Sequence, residues 1–436
     1  MFRKTIFWLH LSAGLLAGVV IAVMSATGVA LAFEKELVAW AEKDVQTVVI
    51  PSATSARIPG DDLLKRFRAE HPDARPSSIT FNARIDAAVV ITVGRDEIYY
   101  LNPYTGEIRQ SGSRSMRDAL RTAENLHRWL ALDGDSRTIG RAITGASNFA
   151  FLILGLTGLY LWFPRKLSWR AVRPSLWFSG AKGKAREWNW HNVIGFWSLP
   201  VLIVLTVSGV VMSYRWANNL VYRLAGETAP AVGGPGAPGA ASPVIEIAPP
   251  PPGSRPATYL SHLAAIEQAL PRWQTASFRL SANRRPEAAG PGTAARSNEG
   301  SRQNSSDSQG NDRQRSGIAD TPRLAQARLA APVVASIRTD NSWPTFAATT
   351  VTLDPYTSDV LKTETFADAT AGRRARMWLR FLHTGEAGGF FGKALAALAS
   401  FGALFLVYTG VAMAVRRAAG ACDAKRKADS KVPRTR

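Results

Sequence analysis

Four stretches of this sequence are long, apolar and free of charged residues, and they constrain the fold more than any other feature. The first, 6–33, runs for about 28 residues, beyond the ~20 needed to cross a hydrocarbon layer. Arg3 and Lys4 precede it and Ala30-Leu31-Ala32 imitates a cleavage site, yet the run far exceeds the ~7–15 residues of a secretory signal core. It is read as a span, and so are 142–163, 193–214 and 395–415. The expected architecture is a membrane α-helical bundle of four spans.

Charge sets the expected orientation. The connection between spans two and three carries Arg165, Lys166, Arg170, Arg173, Lys182, Lys184 and Arg186 against Glu187 alone, and both tails are basic. Excess Lys and Arg mark the cytoplasmic side. The termini are therefore expected inside, and the long connections outside, periplasmic in a Gram-negative cell. Trp8, Trp162, Trp188, Trp190 and Trp216 fall at expected interfaces, where indoles prefer to sit. Topology thus accounts for much of the net +20; no nucleic-acid motif accompanies it, and no nucleic-acid partner is expected.

The chain is also written twice. His10, Gly14 and Gly28 match His191, Gly195 and Gly209 at offsets of +4 and +18, and Gly140 with Thr157-Gly158 matches Gly392 with Thr409-Gly410. Outside the spans, the run from Leu101 to Ile108 matches that from Leu353 to Val360. This predicts an internal two-fold duplication about an axis along the membrane normal, with equivalent residues at equal depth. Each external connection reads as a small α+β module. In the first, Leu63, Leu64 and Phe67 keep helical spacing before strands at 78–82, 88–93 and 98–101 and a turn at 102–106; the second has Leu263, Ile266 and Leu270 before strands at 277–280, 333–338 and 345–353. Segments 229–256 and 283–325 have too few large apolar residues to form a core and are expected to be linkers.

The expected boundaries are a first span at 1–33, external module one at 34–126, a second span with a preceding helix at 127–163 and a basic loop at 164–190. A third span follows at 191–216, then module two with its insertions at 217–380, a fourth span at 381–416 and a basic tail at 417–436.

Only six histidines occur, and four stand at span ends. His10 and His191 begin spans one and three; His127 and His383 precede spans two and four. His71 and His262 belong to the module helices. Ionisable groups bordering a bilayer are functional until shown otherwise, and imidazole ligates haem iron from facing helices. The duplication pairs His10 with His191 at one level and His127 with His383 at another. Gly14 and Gly195 either admit a flat macrocycle or serve close helix packing. The external pair carries an irregularity: His127 lies at +23 from Tyr104, His383 at +27 from Tyr356. Its symmetry is weaker, so two haem b groups are expected, and the cytoplasmic pair is favoured if only one binds. The lone Cys422 excludes a disulfide framework or Cys-rich metal centre,. Structural zinc lacks a second ligand pair beside either His pair.

The arrangement His10-x-x-x-Gly14 with Thr27-Gly28, Leu126-His127-Arg128-Trp129-Leu130, Trp190-His191-Asn192 with Gly195, and Leu382-His383-Thr384-Gly385, together with Asn102-Pro103-Tyr104-Thr105-Gly106, resembles the PepSY-associated transmembrane helix proteins. The resemblance implies PepSY-like external modules. It also implies an iron-regulated inner-membrane protein, some relatives acting as haem-containing reductases of ferric siderophores. His10, His127, His191 and His383 carry over as haem-iron ligands. The departures are the low-complexity insertion and Asp354-Pro355-Tyr356-Thr357-Ser358 in the second module.

The function expected is a haem-dependent ferric-chelate reductase passing electrons from a cytoplasmic or quinol donor to an external ferric siderophore or other iron chelate, in contact with membrane lipid. Catalytic residues beyond the histidines are not assigned. No Gly-x-Gly-x-x-Gly follows a strand, so the donor is a separate, unidentified partner. Two alternatives stand beside it: a membrane-anchored, partner-binding regulatory protein without redox activity, and a component of an iron-chelate transporter.

Overall fold

The structure, a computed structural model, describes residues 1–52, 54–94, 97–110, 113–164, 168–230, 247, 254–280 and 331–429. The insertion expected at 283–325, most of the linker at 229–256, and Arg165 and Lys166 lie outside these residues. In chain order the helices are α1 (Phe2–Ala32), α2 (Glu34–Ala41), α3 (Lys43–Gln46), α4 (Gly60–Glu70), α5 (Arg114–Trp129), α6 (Ser136–Trp162), α7 (Trp169–Leu176), α8 (Lys184–Ser213), α9 (Arg215–Leu224), α10 (Tyr259–Ala269), α11 (Ala371–His383) and α12 (Gly389–Asp429). The strands are β1 (Pro76–Asn82), β2 (Val89–Val93), β3 (Glu97–Leu101), β4 (Ile108–Gln110), β5 (Trp273–Arg279), β6 (Val333–Thr339), β7 (Thr349–Leu353) and β8 (Val360–Glu364).

Among the described residues four helices, α1, α6, α8 and α12, are long and apolar enough to cross a membrane. Each packs on two others, in the cyclic order α1, α6, α8, α12. Contacts at the ends make the bundle up-down-up-down. Arg3 at the start of α1 donates to Leu161 O and Phe163 O at the end of α6, and Arg416 near the end of α12 pairs with Glu187 at the start of α8 (2.9 Å). At the other end Lys393 of α12 pairs with Glu36 of α2 (2.7 Å). Consequently α1 and α8 face each other across the diagonal. Apolar side chains such as Leu16, Val19, Leu398 and Phe401 remain exposed on the outside of these helices, as a hydrocarbon solvent requires.

The two expected modules do not stay separate. Their strands join into one antiparallel sheet of eight, in the order β4-β3-β2-β1-β5-β6-β7-β8. The seam is β1 against β5, with Ile79 opposite Phe278 and Thr80 opposite Ser277, and the Thr80 hydroxyl donates to Ser277 Oγ (2.8 Å). Joining hides the edge strand that each four-stranded half would otherwise offer to other chains. Alternation then sorts the faces. Ile79, Ile91, Phe278 and Ile337 point to a fully buried core with Leu63 and Phe67 of α4 and Ile266 of α10. Thr80, Ser277, Ser336 and Thr350 line up across neighbouring strands on the opposite face.

Several elements are invisible to periodicity. β4 has three residues, and β5 begins at Trp273 because pairing with β6 extends it back beyond the expected start at 277. β7 begins at Thr349 rather than 345, since the chain turns through Trp343–Ala347 to place Phe346 against Phe381 of α11, ring centres 4.1 Å apart. α5 starts at Arg114, thirteen residues before the expected preceding helix at 127.

One contact ties the sheet to the helices, and a second ties α9 to α11. Glu42, between α2 and α3, is buried, and accepts from Arg117 of α5 (2.5 Å) and from the Tyr100 hydroxyl of β3 (2.7 Å). Burial and the Glu42 carboxylate push the Tyr100 phenol up to about 12. On the other half Glu227, just past α9, accepts from Thr370 Oγ1 (2.7 Å) and Gly372 N (3.0 Å) at the start of α11. The helix that carries His127 is thereby tied to the sheet, and the helix that carries His383 to the end of α9.

Candidate functional site

The four span-end histidines meet in two pairs. His10 of α1 and His191 of α8 have ring centres 6.4 Å apart with planes at 82°. His127 of α5 and His383 of α11 have ring centres 6.3 Å apart with planes at 68°. The His127–His383 pair meets as closely as the other despite its four-residue offset. The reason lies in the turns. A carbonyl caps the approach to a glycine in each half: Trp129 O would meet any Cβ at Gly140, and Gly385 O any Cβ at Gly392. The first connection spans eleven residues and the second seven, so α11 carries its histidine one helical turn further along. The first turn needs Leu130 and Ala131 both in the left-handed region, φ 53 and 57, at a cost of roughly 1–2 kcal/mol each.

Every one of the four rings has its Nδ1 held by a hydroxyl from a span. His10 Nδ1 lies 2.9 Å from Thr157 Oγ1 of α6, and His191 Nδ1 lies 2.9 Å from Thr409 Oγ1 of α12. His127 Nδ1 lies 3.0 Å from Thr27 Oγ1 of α1, and His383 Nδ1 lies 3.0 Å from Ser208 Oγ of α8. A hydroxyl has one proton to give. Thr157 gives it to Ile153 O, Thr409 to Phe405 O and Thr27 to Val23 O, each at 2.7 Å, and Ser208 to Val204 O at 2.6 Å. The hydroxyls must accept from the rings, so each histidine is the Nδ1–H tautomer. His383 shows this a second way, since Nδ1 also lies 3.0 Å from Leu205 O, a pure acceptor. Each Nε2 keeps its lone pair, and among the described residues none has a hydrogen-bond partner. Such outer-shell bonds fix the tautomer and raise the basicity of a metal-ligating imidazole.

A glycine follows each of the four hydroxyl residues, and three of these glycines lie against a histidine ring. A Cβ at Gly158 would stand 3.3 Å from His10 Cε1, at Gly410 3.7 Å from His191 Cε1, and at Gly28 3.5 Å from His127 Cε1. The bare backbone lets the Cε1 edge of each ring approach the neighbouring helix closely.

A cavity of about 1060 Å³ opens around the His10–His191 pair, at the upper end of the ~300–1,000 Å³ of small-molecule and cofactor sites. Gly14, Gly18, Gly155 and Gly195 line it. Two imidazoles gripping one ion end-on, with about 2 Å from nitrogen to metal, hold their ring centres about 6.3 Å apart. Both pairs have this spacing. Among the described residues no three His, Cys, Asp or Glu side chains come together as a metal site. Two imidazoles with no third ligand beside them could hold the iron of a porphyrin, whereas structural zinc takes four ligands.

The sequence matches the family described as PepSY-associated TM region over residues 7–417. The chain belongs to this family. No curated protein matches it. Within this PepSY-associated protein, reading the sequence brought out the four histidines but missed their partners Thr157, Thr409, Thr27 and Ser208. The signal is present, because Thr or Ser precedes each glycine matched at +18: Gly28, Gly209, Gly158 and Gly410. His71 and His262 take no part. His71 stacks near Phe67 and Tyr99, and His262 Nδ1 bonds Ser358 Oγ (3.0 Å) under the sheet.

Proposed function

We propose that this membrane protein binds two haem b groups, one between His10 and His191 and one between His127 and His383, and relays electrons across the bilayer to a ferric chelate on the sheet side. The observation that supports this best is the set of four imidazoles in two opposed pairs, all four locked by span hydroxyls with Nε2 free. Haem, when bound, supplies a one-electron carrier. The chain's own residues do the rest: the histidines ligate, the Thr and Ser hydroxyls hold the rings and their Nδ1 protons, and the spans exclude water. His10 and Gly28, which mark the two levels on α1, are 18 residues or about 27 Å apart along the helix, close to the ~30 Å of a hydrocarbon layer.

The basic loop and tails support an orientation with the terminal side in the cytoplasm of a bacterial inner membrane and the sheet in the periplasm. The matched pairs of histidines and hydroxyls, and a sheet that pairs alike outward from the β1–β5 seam, support descent from one duplicated span–module–span unit. Reduction to Fe(II) weakens the hold of hard oxygen ligands, so iron leaves the chelate as it is reduced. A second reading, a partner-binding protein anchored by its spans, draws on the open polar face of Thr80, Ser277, Ser336 and Thr350.

Proteoliposomes with a reducing donor sealed inside and ferric citrate plus an Fe(II)-specific chromophore outside separate the two. The relay produces external Fe(II) that is abolished by His191→Ala; production equal to that of protein-free vesicles contradicts it.

A further inference from the structure

The cavity around His10 and His191 is charged at one end only. Arg3, Lys4, Lys184 and Arg417 line its mouth on the side of the chain termini, and among the described residues no Asp or Glu lines it. Past the histidines the walls are apolar, with Ile21, Phe151 and Leu202 toward the middle of the bundle, except for Thr206, whose hydroxyl is given to Leu202 O (2.7 Å). Arg3 is committed to the carbonyls of Leu161 (2.7 Å) and Phe163 (3.1 Å). Arg417 is held at the mouth over the rings of Phe7 and Trp8, 5.1 Å from each. Lys4 and Lys184 have no ion-pair partner among the described residues. The nearest acid on α8, Glu187, pairs with Arg416 rather than with the rim.

We propose that Lys4, Lys184 and Arg417 seat the two carboxylates of an iron porphyrin, which enters between His10 and His191 with its carboxylate edge toward the terminal side. The assignment rests on the haem reading above and adds the residues and the direction. A flat body with both charges on one edge matches a cavity with cations at one end and hydrocarbon at the other. A neutral quinone would leave the cations without a counter-charge, and an anionic lipid would leave both Nε2 lone pairs without an ion. Ammonium and guanidinium groups at the border of an apolar site bind carboxylates by charge-assisted hydrogen bonds, and their removal weakens binding of the diacid alone.

The test compares iron protoporphyrin IX with its dimethyl ester, which has the same ring and metal and no charge on that edge. Full-length protein carrying His127→Ala, which leaves the inner pair untouched, is stripped of cofactor, placed in phosphatidylcholine nanodiscs and titrated with each porphyrin by Soret absorbance. The diacid should bind about tenfold tighter than the ester. Lys4→Gln/Lys184→Gln/Arg417→Gln should narrow that preference to within about twofold while leaving ester affinity unchanged, which also reports an intact cavity. Equal binding of the two porphyrins by the parent, or a preference that survives in the triple variant, overturns the seat. Should the triple variant lose both ligands, Lys184→Gln alone must cut the preference at least about twofold, and an unchanged value there overturns it equally. Failure of either porphyrin to shift the Soret band of the parent overturns the haem reading itself.

Discussion

His191 and Thr409 belong to different spans, and the 2.9 Å between His191 Nδ1 and Thr409 Oγ1 decides which ring nitrogen is available for chemistry. The threonine proton is already given to Phe405 O at 2.7 Å. Thr409→Val removes the acceptor and frees the ring to rotate or change tautomer. Loss of a second-shell partner costs a metal site about 10–100-fold in affinity or activity. Haem titration of Thr409→Val should show a loss of that order at the inner site, with Thr409→Ser close to the parent. Unchanged affinity in the valine variant would remove the hydroxyl from the account.

Gly140 and Gly392 test how the outer pair is brought together. Any Cβ at Gly140 would run into Trp129 O, and any Cβ at Gly392 into Gly385 O. Both carbonyls are backbone and cannot swing aside. Gly140→Ala should displace the end of α5 and with it His127, lowering outer-site haem content while sparing the inner site. Spectra that resolve the two sites would contradict this if both signals fell together or neither changed.

The buried Glu42 links β3 to α5. Its side chain is fully buried, and that of Arg117 is 21% exposed. Arg117→Met withdraws the main counter-charge from a carboxylate that cannot reach water, a change that costs about 3–5 kcal/mol. The expected result is a clearly lower denaturation midpoint, with Glu42→Gln/Arg117→Met recovering part of the loss. Additive effects in that cycle would mean the two side chains do not act together.

How much of this was legible beforehand differs by element. The four spans were, because lack of charge over twenty or more residues has few alternatives. The pairing of His10 with His191 was legible because the offsets to Gly14 and Gly28 recur around Gly195 and Gly209. The single sheet was not. Nothing in the alternation of Ile79 and Phe81 says whether the edge of β1 meets water or β5, since that choice is made between segments some 200 residues apart. The hydroxyl partners escaped for a different reason: a Thr inside an apolar helix can bond its own i−4 carbonyl, as Thr157 and Thr409 do. Only the three-dimensional approach of a ring reveals the second bond.

His262 gives the sheet and its covering helices a pH dependence. It is 3% exposed, and burial holds its pKa below the ordinary histidine range, opposed in part by Asp61 and Asp354. As pH falls through about 6.5 the unfolded chain takes up a proton that the folded one resists. Stability contributed by His262 is therefore complete above that pH and declines below it. Thermal denaturation at pH 7.5 and 5.5 should show a smaller drop for His262→Leu than for the parent. An equal drop would assign the dependence to other groups.

The central claim is that two pairs of imidazoles hold two haems, and the pyridine haemochrome of purified full-length protein tests it most directly. The account predicts close to two haem b per chain, falling to about one in His10→Ala or His191→Ala, to about one in His127→Ala or His383→Ala, and to none when both pairs are broken. A well-folded, cofactor-supplied preparation with no Soret or α band, or a haem content that none of the four substitutions changes, would contradict it.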